Sequence, residues 1–103
     1  MKHGRRDANH AQIVKAYRDL GCTVFDLADA ALGCPDLLVG FAGKTCLVEV
    51  KTEEGTLTPK QRLFLDAWRG GAVTIVRTTD DVIQHVTHAR RLIAYDNPGV
   101  PAA

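Results

Sequence analysis

Three side chains in this chain are of types that hold cations and carry protons, and their spacing can bring them together: Asp36, Glu49 and Lys51. Asp36 opens the run Leu37-Leu38-Val39-Gly40, and Glu49 and Lys51 close the run Thr45-Cys46-Leu47-Val48-Glu49-Val50-Lys51. Both runs are aliphatic and β-branched, and Phe41-Ala42-Gly43-Lys44 between them suits a tight turn, so the segment reads as a β-hairpin. A turn centred between Ala42 and Gly43 sets Asp36 directly across from Glu49. Facing side chains in an antiparallel pair have Cβ atoms roughly 5 Å apart, and like charges there are destabilising. Strand alternation puts Lys51 on the same face as Glu49. Two carboxylates and an ammonium on one patch suit a hard divalent cation, which takes oxygen ligands and keeps several waters. An ordinary solvated strand face with Glu49 and Lys51 paired is the competing reading.

The elements that must position these residues follow from periodicity and punctuation. From about Arg6 to Leu20 the apolar residues Ile13, Val14, Tyr17 and Leu20 form one face of a helix ended by Gly21, with His10 and Arg6 continuing the stripe and Gln12 pointing away. Cys22 to Leu27 reads as a short strand, and the Ala-rich stretch to Gly33 leads into the hairpin, giving three antiparallel strands in succession. Thr58-Pro59-Lys60-Gln61 predicts a helix start with Thr58 as N-cap, Pro59 at the first position and Gln61 completing a capping box. That helix runs to about Arg69 with Leu63, Phe64, Ala67 and Trp68 on one face, and Trp68 is expected in the core. Ala72 to Arg77 is nearly continuous apolar sequence and predicts a strand buried on both faces. Thr79 or Asp80 caps a third helix carrying Val82, Ile83, Val86, Ala89 and Leu92, on which His85 and His88 read as surface histidines. The order is αβββαβα, an α/β chain with a mixed sheet and helices packed on it. Residues 1–95 form a single domain and 96–103 a tail.

At 103 residues, with 46% hydrophobic and 24% charged residues, the chain supports one core and no second domain. The net charge of +1 does not mark a nucleic-acid binder, so attraction to phosphates has to come from local clusters such as Lys2, Arg5 and Arg6. Cys22, Cys34 and Cys46 are odd in number and contain no CxxC pair, which fits small hydrophobes in a reducing cytoplasm. No apolar run reaches the roughly 18 residues of a membrane span, and a cytoplasmic protein with no membrane partner is expected.

Pro35-Asp36, a spacer, and Glu49-Val50-Lys51 resemble the PD-(D/E)XK nuclease signature. The longer run from Gly33-Cys34-Pro35-Asp36 through Glu49-Val50-Lys51 to Leu57-Thr58-Pro59-Lys60-Gln61 resembles the small stand-alone VRR-NUC branch of phage and bacterial genomes, and the likeness extends from about Arg5 to about Val82. The resemblance implies a restriction-endonuclease-like αβββαβ core, here with an extra C-terminal helix. It implies a Mg²⁺- or Mn²⁺-dependent DNA endonuclease, without an organic cofactor, acting on branched, flap or four-way junction DNA in replication or repair. Asp36, Glu49 and the main-chain carbonyl of Val50 would hold the metal, Lys51 would orient water or steady developing charge, and Gln61 would face the site. Lys60, with Arg5 and Arg6, would touch DNA. The family often carries a further acid on the first helix; the aligned position here is Gln12, with Asp7 the substitute in a shifted register. The Gln12 departure motivates the alternative of a catalytically inactive DNA-binding module or nuclease-complex subunit. Such stand-alone nucleases often pair, so a homodimer built on the first or third helix is expected.

Overall fold

The computed structural model describes residues 4–27, 30 and 33–96, the side chains of 4–7 and 94–96 excepted. The elements are α1 (Gly4–Asp19), β1 (Thr23–Asp26), β2 (Leu37–Phe41), β3 (Lys44–Val50), α2 (Pro59–Ala67), β4 (Val73–Val76) and α3 (Thr79–Asp96). This is the predicted αβββαβα order, and it forms one four-stranded mixed sheet in the order β1-β2-β3-β4. The first three strands are antiparallel neighbours and β4 joins β3 in parallel. Of the expected tail, 96–103, Asp96 still belongs to α3, and the residues from 97 onward lie outside the described residues.

The hairpin turns where its residues direct it. Ala42 and Gly43 both take positive φ, 52° and 77°, as a turn of the right hand for a two-residue hairpin requires. Phe41 then pairs with Lys44 and Leu37 with Val48, which is the expected register. The ladder stops at Leu37, one residue short of Asp36.

Alternation splits the sheet into two unlike faces. On one, Leu37, Val39, Phe41, Val48, Val50 and Val76 are buried beneath Ile13 and Tyr17 of α1 and Val82 and Val86 of α3. The register runs a second apolar row across all four strands of the other face: Phe25, Leu38, Leu47 and Val73. Among the described residues α2 approaches that face through Gln61, and α2 has no buried residue.

Three expectations about burial fail here. Leu63 is 69% exposed and Trp68 40%, so the apolar side of α2 is not part of the core; Trp68 stacks on Phe64 instead and donates from Nε1 to the carbonyl of Gly71. The strand β4 is an edge strand, because among the described residues no element follows it in the sheet, and only Val76 of it is buried while Ile75 remains exposed. His85 is not a surface histidine: its ring lies edge-on to Tyr17 and Phe41, and Tyr17 Oη sits 2.7 Å from its Nδ1. His88 is exposed, as expected. The cap of α3 also moves by one: Thr78 Oγ1 accepts from the N–H of Asp81 and the Asp81 carboxylate accepts from Thr78 N–H, closing a reciprocal box one residue before Thr79.

Candidate active site

Asp36 leaves the ladder and turns its carboxylate inward. The N–H of Val50 donates to Asp36 Oδ2 at 2.9 Å, while the Asp36 carbonyl accepts from Leu27 N–H at 2.7 Å. The aspartate is thus fixed at both ends, its carboxylate beside the carboxyl end of β3. Gly33, at φ +79°, makes this entry possible: a Cβ there would lie 2.4 Å from the carbonyl oxygen of Lys60, so only glycine lets the 33–36 stretch pass under the start of α2.

Glu49 is 2% exposed and Lys51 9%, both on the sheet face that α2 approaches. Lys51 Nζ stands 3.8 Å from Glu49 Oε2, and Gln61 Nε2 donates to the same oxygen at 2.9 Å. A buried carboxylate is tolerated only when paired and hydrogen-bonded, and Glu49 has both. The solvated-strand reading is therefore wrong about solvation and right about the pair.

Gln61 does two things with one amide. Its Oε1 accepts from the N–H of Thr58 at 2.8 Å, while Thr58 Oγ1 accepts from Gln61 N–H, the capping box; its Nε2 reaches Glu49. Cap and site contact, which stand as rivals in the sequence, coexist because an amide has a separate acceptor and donor.

A cavity of about 130 Å³ is walled by Asn9, His10, Asp36, Val50, Lys51, Thr52 and Gly55. Gln12 is exposed and is not in that wall; the α1 residues that are there, Asn9 and His10, were not singled out as site residues. Asn9 Nδ2 donates to the carbonyl of Lys51 at 3.0 Å. Asn9 stands one helical turn before buried Ile13, on its face of α1, whereas Gln12 is rotated roughly 100° from Ile13 and lines a neighbouring cavity with Asn9. The side chains of Asp7, Arg5 and Arg6 lie outside the described residues, and Lys60 is exposed on α2. A further unanticipated residue, Arg77, holds the 52–55 loop: Nη1 donates to the carbonyls of Thr52 at 2.8 Å and Gly55 at 2.6 Å.

The donor set suits an ion that brings its own water. Among the described residues no three His, Cys, Asp or Glu side chains gather closely enough to hold a metal by themselves. Asp36 and Glu49 are nevertheless close enough that both charges act on Cys34, whose thiol is pushed up first by burial, then by Glu49 and then by Asp36. Two carboxylates joined by a main-chain carbonyl would suit a hard cation that keeps its own waters, and not a zinc cage.

No protein-family model, curated protein or solved structure matches the chain. Among the described residues no helix is long and apolar enough to cross a membrane.

Proposed function

We propose that the chain is a Mg²⁺- or Mn²⁺-dependent nuclease of the VRR-NUC type, hydrolysing phosphodiester bonds in branched, flap or four-way junction DNA to leave 5′-phosphate and 3′-hydroxyl ends. The observation that carries this reading is the meeting of Asp36, Glu49 and Lys51 at the carboxyl end of β3, with Asp36 and Lys51 on one cavity. Asp36, Glu49 and the Val50 carbonyl would hold the ion, which when bound neutralises phosphate charge and lowers the pKa of water. Lys51, held by Glu49, presents its ammonium to the charge that builds on the phosphoryl oxygens. Gln61 keeps the Glu49 carboxylate aimed. The protein would work in the cytoplasm of a bacterium or of a phage-infected host. Labelled linear, flap and four-way DNA incubated with each metal tests the reading, and absence of cutting on every substrate refutes it.

A second reading has its own support: α1 brings the neutral Asn9 and no described acid to the cavity, as an inactive DNA-binding module or nuclease-complex subunit would. Calorimetric titration with Mn²⁺ separates the two. The nuclease binds the ion and loses it with Asp36→Ala, whereas the inactive module shows no binding that depends on Asp36.

A further inference from the structure

The cavity wall holds one proton-carrying side chain that the reading above leaves without a task. His10 lies beside Asp36, Val50 and Lys51 in that wall, and its Nε2 stands 3.0 Å from Asp26 Oδ2. Its Nδ1 has no hydrogen-bond partner among the described residues. A carboxylate on one ring nitrogen fixes the ring and its tautomer, which leaves the other nitrogen to exchange a proton. The other proton carrier in the wall, Lys51, is already engaged with Glu49. Asp26 is 57% exposed, and an ion pair that open contributes little to stability, so the fold gains little from this contact.

We infer that His10, oriented by Asp26, is the general acid that protonates the leaving 3′-oxygen. The inference rests on the nuclease reading. In the step, a water oxygen forms the new bond to phosphorus and the bond from phosphorus to O3′ breaks with its electron pair passing to oxygen. O3′ takes the proton from Nδ1 of the imidazolium. The attacking water releases a proton to solvent, and the neutral imidazole takes one back from solvent, so the net reaction is hydrolysis. An alkoxide is a poor leaving group and gains most from such a donor, whereas a thiolate leaves without one.

The test compares a DNA substrate having an ordinary phosphodiester at the cut with one in which sulfur replaces the bridging 3′-oxygen, both in Mn²⁺. His10→Ala should slow cutting of the oxygen linkage by about 100-fold or more, the range of general acid catalysis, and cut the sulfur linkage at the wild-type rate. Its Kd for uncut DNA in Ca²⁺ and its melting temperature should match the wild type. Asp26→Asn should lose less on oxygen and recover equally on sulfur, as a positioning residue does. Equal losses on both linkages would assign His10 to binding or support and overturn the inference, as would full activity of His10→Ala on oxygen. A wild-type protein that cuts neither linkage refutes the nuclease reading itself, and the inference with it.

Discussion

The amide of Gln61 joins a helix cap to a buried carboxylate, so its two roles can be separated by substitution. Gln61→Glu keeps a capping-box residue and favours the helix N-terminus, but sets a third carboxylate against Glu49. Gln61→Ala removes both contacts. We expect Gln61→Glu to retain α2 and lose cutting, and Gln61→Ala to lose both, with the single tryptophan, Trp68 at the end of α2, reporting the helix by fluorescence. Equal cutting by Gln61→Glu and wild type would reduce Gln61 to a cap. His85 supplies a pH dependence. Burial pushes its imidazole below the ordinary range, with His88 adding to the effect, while burial holds the Tyr17 phenol well above its own, with smaller upward contributions from Cys22, Cys46 and Asp81. Tyr17 therefore keeps its proton and pairs with Nδ1, while Nε2 faces Thr74 Oγ1, 3.4 Å away. A histidine held neutral by the fold binds its proton more readily when unfolded, so its stability is intact above about pH 6.5 and is lost as pH falls from there toward the lowered folded value. Urea midpoints should fall over that window in the wild type and fall less in His85→Asn; parallel curves would remove His85 as the cause. Neither Asn9 nor His85 was legible as what it is, because helical spacing gives the face of a residue but not what stands opposite it.

Among the elements, those whose signals are local came out of the sequence nearly intact. The Thr58-Pro59-Lys60-Gln61 start, the turn at Ala42-Gly43 and the hairpin register each depend on residues within a few positions of one another. What failed were the burial of β4 and of α2, because burial depends on which element arrives to cover a face, and nothing among the described residues follows β4 at the sheet edge. The helix α2 is consequently held by its first turn. Gly33 passes beneath Lys60 and Gln61 beside it grips Glu49, while no residue of the helix is buried. Gly33→Ala puts a methyl against the Lys60 carbonyl in a backbone conformation that L-residues resist, at a cost of order 1–3 kcal/mol. We expect it to displace the start of α2, shift the Trp68 emission and weaken cutting while leaving the α1–α3 core folded by circular dichroism. An unchanged emission maximum and full activity would show that α2 does not depend on this passage.

At the scale of the molecule the two faces of the sheet are unequal, and that bears on assembly. One face carries the whole described core under α1 and α3. The other bears the row Phe25, Leu38, Leu47 and Val73, with Phe25 70% exposed, Ile75 38%, and Leu63 69% on the helix that partly covers it. The first and third helices, where apolar contact was expected, leave less: Ile83 is 48% exposed and Leu92 47%. Contiguous apolar surface on a sheet face marks an interaction site more often than isolated apolar residues do. A second copy of the chain is the expected occupant, since two-fold pairing of like patches is the commonest closed assembly and, on the proposed nuclease reading, would set two sites for cuts on two strands of a junction. Phe25 lies at the edge of the row and contributes nothing to the buried core, so Phe25→Asp should leave the fold intact and split the dimer. Light scattering at tens of micromolar should then give twice the chain mass for the wild type and the chain mass for the variant, with junction cleavage by the variant falling to single nicks. If the wild type is a monomer and junction cleavage stays linear in protein concentration, the open face serves something other than self-association.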